Sequence, residues 1–142
     1  SWSIGEVLEH LVLTDHYLLL LVDKIAQECA RRLGQGAVPP EQAAPLEQLE
    51  QLLPRSFAWP APEHMRPTGR ATRTEIRAGL ERDRARTLAL LRAHPAGQGA
   101  LHASRFSPLD ARLDLYQFLG VIEVHLRRHL EQIERCARRA RR

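Results

Sequence analysis

Apolar side chains recur every three to four residues along three stretches of the chain, and this spacing predicts three long amphipathic helices. The first stretch runs from about Ser3 to Leu33, the second from about Thr72 to Ala93, and the third from about Pro108 to Arg139. We find no alternating pattern that predicts a strand, and no repeat. The pattern therefore indicates an all-α fold of the antiparallel four-helix-bundle type.

Polar residues at the start of these stretches have the character of helix caps. Two pairs have the spacing of capping boxes: Ser3 with Glu6, and Thr72 with Glu75. Ser107 is expected to cap the third helix, with Pro108 as its first helical residue. That helix would be on the order of 45–50 Å long, so its basic end is expected to project beyond the bundle.

The stretch between the first two helices is a proline-rich connection over residues 35–70. Its prolines are Pro39, Pro40, Pro45, Pro54, Pro60, Pro62 and Pro67. They oppose a long helix, although Leu46–Leu53 could form two helical turns. So long a connection is often functional, as a lid or a strap. We expect one domain over residues 1–142, which ends in a basic tail over 135–142.

Charge and composition narrow the function classes. The net charge is +4, Lys24 is the only lysine, and the excess of cations lies in the tail at Arg135, Arg138, Arg139, Arg141 and Arg142. Such a tail either binds nucleic acid or complements the helix dipole, and the absence of interleaved aromatic residues favours the second interpretation. Cys29 and Cys136 give no disulfide framework. Without a signal peptide or an apolar run of spanning length, we expect a cytoplasmic protein with no membrane partner.

Histidines supply the candidate chemistry. His125 and His129 are four residues apart, which places both imidazoles on one helix face where they can bind one ion. His10 borders the apolar face of the first helix and would join them if the two helices pack together. Three histidines with an open coordination position are common at catalytic metals. The alternative is that each is a hydrogen-bonded core histidine.

Other polar residues have weaker interpretations. Glu6 or Glu123 could orient a ligand imidazole, or each could be a solvated charge on a helix face. His64 and Arg66 could line the mouth of a pocket, although exposure to solvent is the simpler expectation. The remaining histidines match no ligand position: His16, His94 and His102.

Three segments resemble a known family. Trp2–Leu11, with its Trp-Ser start and His10-Leu11 end, is similar to the second helix of DinB-like proteins, and Leu115–Ile133 resembles their last core helix. There the hallmark is His-x-x-x-His followed by Gln-Ile. Pro62–Gly69 resembles the lead-in to their third helix. The family is a damage-inducible helical-bundle family, and its first helix would be expected before Trp2.

The resemblance implies a four-helix bundle with a metal site of His10, His125 and His129, which holds nickel, zinc, manganese or iron. Some relatives are transferases or isomerases that use a low-molecular-weight thiol, and others are classed as hydrolases. We therefore expect a metal-dependent S-transferase or hydrolase with a small-molecule substrate, as a homodimer. The alternative is a non-catalytic, stress-related dimeric interaction module with a vestigial site. Nucleic-acid binding by the arginine tail ranks third.

Overall fold

The computed structural model describes residues 2–141, and three long helices make up most of it. These helices are α1 (Ile4–Gly34), α2 (Arg73–Ala93) and α3 (Leu115–Ala140). The predicted helical fold class is confirmed. Within the described part of the chain, no helix combines the length and apolar character that crossing a membrane requires.

Both predicted capping boxes form, and they set the starts of α1 and α2. The Glu6 amide donates to the Ser3 hydroxyl at 3.2 Å, and the Ser3 amide donates back to the Glu6 carboxylate at 2.7 Å. Thr72 and Glu75 make the same reciprocal pair at the start of α2. Each box satisfies amide groups that the first helical turn would otherwise leave without a partner.

Contacts between the helices define their directions. Gly79 of α2 packs against Val12 of α1, and further along both helices Arg86 pairs with Asp23, so α1 and α2 run in the same direction. In contrast, α3 runs in the opposite direction to α1. His125, near the middle of α3, meets His10 near the start of α1, whereas Tyr116 at the start of α3 and Cys29 near the end of α1 both contact Gly99. Two parallel neighbours need a connection that returns along the whole bundle, which explains the length of residues 35–72.

The hydrophobic core lies mainly between α1 and α3. Its fully buried members include Val22 and Ile25 from α1 and Phe118 and Val121 from α3. The helix α2 contributes less, because its buried residues are only Ile76, Gly79, Asp83 and Leu90. The strongest packing therefore supports the helix pair that carries the three histidines.

The proline-rich connection is packed on the bundle. A 3-10 helix, Glu47–Leu52, supplies the two helical turns that Leu46–Leu53 could form, and it buries Leu49 and Leu52 in the core. A Cβ on Gly120 of α3 would lie 2.6 Å from the Leu49 side chain, so this glycine allows the close approach. Further along, Arg128 donates to the carbonyls of Leu52 and Phe57. The connection is therefore a strap that runs along α3 before it crosses to α1.

The prediction that the chain has no strands, with the third helix starting at Pro108, is wrong. An antiparallel hairpin pairs β1 (Ala103–Phe106) with β2 (Ala111–Asp114). Ser107 and Pro108 begin a single 3-10 turn, which ends at Asp110 with a positive φ of 47°. That left-handed residue turns the chain back and breaks the helix. The cap of α3 is Asp114, whose carboxylate accepts from the Gln117 amide at 2.9 Å.

Candidate metal centre

The three predicted histidines meet at the interface of α1 and α3. The Nε2 atom of His125 lies 3.2 Å from Nε2 of His10 and 3.1 Å from Nε2 of His129. His10 and His125 are buried, at 4% exposure each, and His129 is half-buried. From the sequence we expected His10 to join the other two histidines if the first and third helices pack together, and they do.

Two of the rings are held from behind through their Nδ1 atoms. Nδ1 of His10 lies 2.7 Å from the carbonyl oxygen of Met65, which is in the strap. A carbonyl can only accept, so Nδ1 carries the proton and Nε2 presents a lone pair. Nδ1 of His129 lies 2.8 Å from Oε1 of Gln132, one turn further along α3. An amide oxygen also only accepts, so the same tautomer follows for His129.

His125 is held by packing instead of hydrogen bonding. Its Nδ1 is buried and has no hydrogen-bond partner among the described residues. The ring of Trp59, from the strap, packs against it with 4.9 Å between ring centroids. A buried polar nitrogen with no partner is costly, and such groups concentrate at sites with a function.

Burial keeps all three imidazoles neutral near pH 7. Burial lowers the pKa of His10, although the Met65 carbonyl partly opposes this. Burial, with the charges of the other two histidines, lowers the pKa of His125 to about 2. The pKa of His129 falls to about 4, again chiefly through burial. Neutral imidazole is the form that binds metals, so protons do not compete for these lone pairs at neutral pH.

The three-histidine group could hold a metal ion, since one ligand atom from each residue lies within 4.8 Å of the others. Two nitrogens bound about 2.0–2.1 Å from one ion are roughly 2.8–3.4 Å apart, from cis octahedral to tetrahedral geometry. The two separations from His125 Nε2, 3.2 and 3.1 Å, lie in that range. Convergent lone pairs would repel one another without a proton or a cation between them, so the donor set fits a cation.

A cavity of about 450 Å³ opens over the imidazoles. Its walls combine aromatic and apolar strap residues with polar groups from the helices: Trp2, Thr14, Trp59, Pro60, Ala61, Pro62, Met65, Arg66, Arg128 and Gln132. None of these described lining residues carries a carboxylate. The site is therefore an open, partly apolar pocket with three nitrogen donors at its floor.

The structure places the other candidate residues away from the imidazoles. Glu6 is bonded to Ser3 at the start of α1, and Glu123 pairs with Arg127 at 2.7 Å on an exposed face. Arg66 is exposed yet lines the cavity, whereas His64 packs edge-to-face against Tyr17 outside it. Glu6 takes part in the cap of α1, and Glu123 lies on the side of α3 that faces solvent, so each carboxylate has another partner.

Sequence reasoning missed the residues that fix the ligands. Met65 acts through a backbone carbonyl, which no side-chain pattern reveals, and Trp59 acts from an irregular segment. Glu9, beside His10, accepts bonds from the Thr68 amide and hydroxyl and from the Gly69 amide. Burial alone would raise the pKa of Glu9, but these bonds bring it below its usual value. The Gln-Ile pair after His129 was the one available signal for Gln132.

Comparison with known proteins agrees with this geometry. The family model of the DinB superfamily matches residues 1–133, which include all three histidines and the whole strap. No curated protein and no solved structure gives a significant match. Since the family model covers most of the sequence, the chain belongs to the DinB superfamily.

Proposed function

We propose that His10, His125 and His129 bind one divalent transition-metal ion, nickel, zinc, manganese or iron, and that the chain is a metal-dependent S-transferase or hydrolase. The observation that carries the proposal is the convergence of three neutral Nε2 atoms, 3.1 and 3.2 Å apart, beneath an open cavity. A core histidine with only a structural role would be expected to hydrogen-bond to a group other than the Nε2 atom of a second neutral imidazole.

Each part of the chain has a role in this proposal. The Met65 carbonyl and Gln132 hold two rings in the tautomer that turns Nε2 inward. Such partners of the ligands typically raise metal affinity. Trp2 and Trp59 wall the cavity and limit the access of water. The Thr14 hydroxyl, 3.4 Å from His10 Nδ1, faces the same cavity and can orient a polar substrate group.

A bound divalent ion would act as a Lewis acid and lower the pKa of a thiol or of water, which supplies a nucleophile near neutral pH. A low-molecular-weight thiol as nucleophile gives S-transfer, and water gives hydrolysis. The cavity has room for a small-molecule substrate beside the imidazoles. Because none of the described lining residues is acidic, any negative charge in the cavity must come from the substrate or the nucleophile.

Metal content measured by mass spectrometry tests the proposal. After incubation with each of the four metals, we expect about one ion per chain in the unchanged protein and a loss of that ion in His10→Ala and His125→Ala. His16→Ala is the matched control, because His16 is exposed on the same helix as His10. A chain that takes up no metal, or that keeps it in both ligand variants, would refute the site.

Activity is tested on the metal-loaded protein. We expect consumption of a small thiol in the presence of an electrophile, or hydrolysis of small esters, with either activity lost in His125→Ala and kept in His16→Ala. A loaded protein that catalyses neither reaction would contradict the enzyme and leave the interaction module, whose metal would then be structural.

A further inference from the structure

Next to the metal cavity lies a second pocket, of about 270 Å³, whose lining is strongly basic. Four arginines contribute to it, Arg55 from the strap and Arg128, Arg135 and Arg139 from α3. The two pockets share Trp2, Arg128 and Gln132, so they adjoin one another. No Asp or Glu lines either pocket in the part of the chain that the structure describes.

The arginines of the second pocket differ from others in how their charge is balanced. Arg138, on the same helix but outside the pocket, pairs with Glu134 at 3.2 Å, and Arg127 pairs with two glutamates. In contrast, Arg135 has only a 3.8 Å contact with Glu131. Within residues 2–141, neither Arg55 nor Arg139 is in an ion pair. The pocket therefore concentrates positive charge that the protein itself does not neutralise.

Arg128 fixes the geometry of this pocket. Its two terminal nitrogens donate to the carbonyls of Leu52, Pro54 and Phe57 at 2.8 to 3.0 Å. Its charge is thus held in place by neutral acceptors only. Arg55 lines the same pocket, so the positive charges of Arg55 and Arg128 lie close together. Holding like charges together costs free energy, and a bound anion would recover it.

The spacing along α3 connects the pocket to the metal centre. Arg128, Gln132, Arg135 and Arg139 follow one another at intervals of three or four residues, so they share one helix face. Gln132 is hydrogen-bonded to His129, so the end of this face that comes first in the sequence lies next to the imidazoles. From His129 to Arg135 the helix rises about 9 Å, the length of a small organic molecule.

We propose that this arginine pocket binds a carboxylate or phosphate group of the small molecule whose reactive end lies at the three histidines. The proposal rests on the proposed function for the reactive end only. Arginine binds both oxyanions through paired N–H donors, which is the shared chemistry of the two groups. The substrate or thiol is thus an anionic small molecule, anchored about two helical turns from the metal.

Binding of simple anions tests the pocket separately from the metal. We would titrate the protein with inorganic phosphate and, separately, with succinate, by calorimetry at constant ionic strength. We would compare Arg135→Gln/Arg139→Gln with the matched control Arg138→Gln/Arg141→Gln, which removes the same charge from the last turn of α3 and its C-cap. We expect saturable binding that weakens at least about tenfold in the pocket variant and is unchanged in the control. The tighter of the two anions identifies the group.

Equal weakening in both double variants, or no saturable binding of either anion, would overturn the proposal, since net charge would then explain any effect. A short DNA duplex that binds more tightly than either anion, and that phosphate does not displace, would also overturn it in favour of a nucleic-acid surface. Metal content is measured on all three proteins. If anion binding is absent while the metal is retained, the anion-pocket proposal fails and the proposed function stands. If the metal is absent while anion binding is intact, only the proposed function is refuted.

Discussion

The two faces of α1 bury ionisable groups, and burial shifts their pKa values in opposite directions. Toward α3, burial lowers the pKa of His10, so the imidazole is neutral near pH 7 and its Nε2 lone pair can bind a metal ion. Toward α2, burial and the charge of Asp83 raise the pKa of Asp15 to about 7. Asp15 Oδ1 and Asp83 Oδ2 are buried without hydrogen-bond partners. The interface of α1 with α3 thus holds neutral imidazoles that can bind a metal, whereas the interface of α1 with α2 buries carboxyl groups without hydrogen-bond partners.

Packing explains why the site belongs to the first interface. The pair α1–α3 buries large side chains from both helices, so its backbone positions are held firmly. The helix α2 is rich in arginine and buries an aspartate and a glycine among its four buried residues. A metal site needs its ligands fixed within fractions of an ångström, and only the well-packed interface offers that.

The largest expected effect separates the two interfaces by stability. Phe118 of α3 is fully buried, and Phe118→Ala is expected to cost about 3–5 kcal/mol of unfolding free energy. Ile76→Ala on α2 removes a smaller side chain at 8% exposure and is expected to cost about 2 kcal/mol. Urea denaturation measures both. A larger loss for Ile76→Ala would overturn the contrast in packing.

The next effect concerns the metal centre alone. Gln132→Ala removes the acceptor behind His129 and is expected to weaken metal binding roughly 10–100-fold. Glu131→Ala, one residue earlier and exposed, is the control. Competition with a chelator gives the affinity. Equal affinities in the two variants would show that Gln132 does not support the ligand.

A third effect depends on pH and tests the carboxyl pair. The raised pKa of Asp15 means that the folded state holds a proton which the unfolded state releases near pH 4, so Asp15 makes the fold less stable as pH rises from about 4 to 7. Asp15→Asn removes this loss and is expected to stabilise by on the order of 2 kcal/mol at pH 8 and little at pH 4. Thermal unfolding at both pH values checks it. A gain that does not vary with pH would contradict the raised pKa of Asp15.

The smallest effect tests how closely α1 and α2 approach. A Cβ at Gly79 would lie 2.6 Å from Val12 Cγ1, so Gly79→Ala is expected to destabilise by about 1 kcal/mol despite the better helix propensity of alanine. Gly5→Ala has space, with only the Ser3 hydroxyl at 3.9 Å, and is expected to stabilise slightly. Because the ligands lie on the other interface, Gly79→Ala leaves metal affinity unchanged. Stabilisation by both substitutions would refute the close approach.

Some of this architecture could be predicted because it depends on neighbours in sequence. The capping boxes at Ser3 and Thr72 join residues three apart, and the His125–His129 pair follows from the pitch of one helix. The start of α3 could not be predicted in this way. Ser107 and Pro108 have good local propensity, but the buried side chains of Phe106 and Leu113 favour a hairpin, and tertiary packing decides the outcome.

Local sequence patterns were enough to predict the three helices, the face on which each histidine lies and the membership of the DinB superfamily. Three contacts could be seen only in the folded molecule: the Met65 carbonyl holds His10, Trp59 covers His125, and Arg55 joins the arginines of α3. Helical periodicity acts over a few residues, whereas these contacts bring together strap and helix residues more than fifty positions apart. Their formation depends on how the strap folds across the bundle.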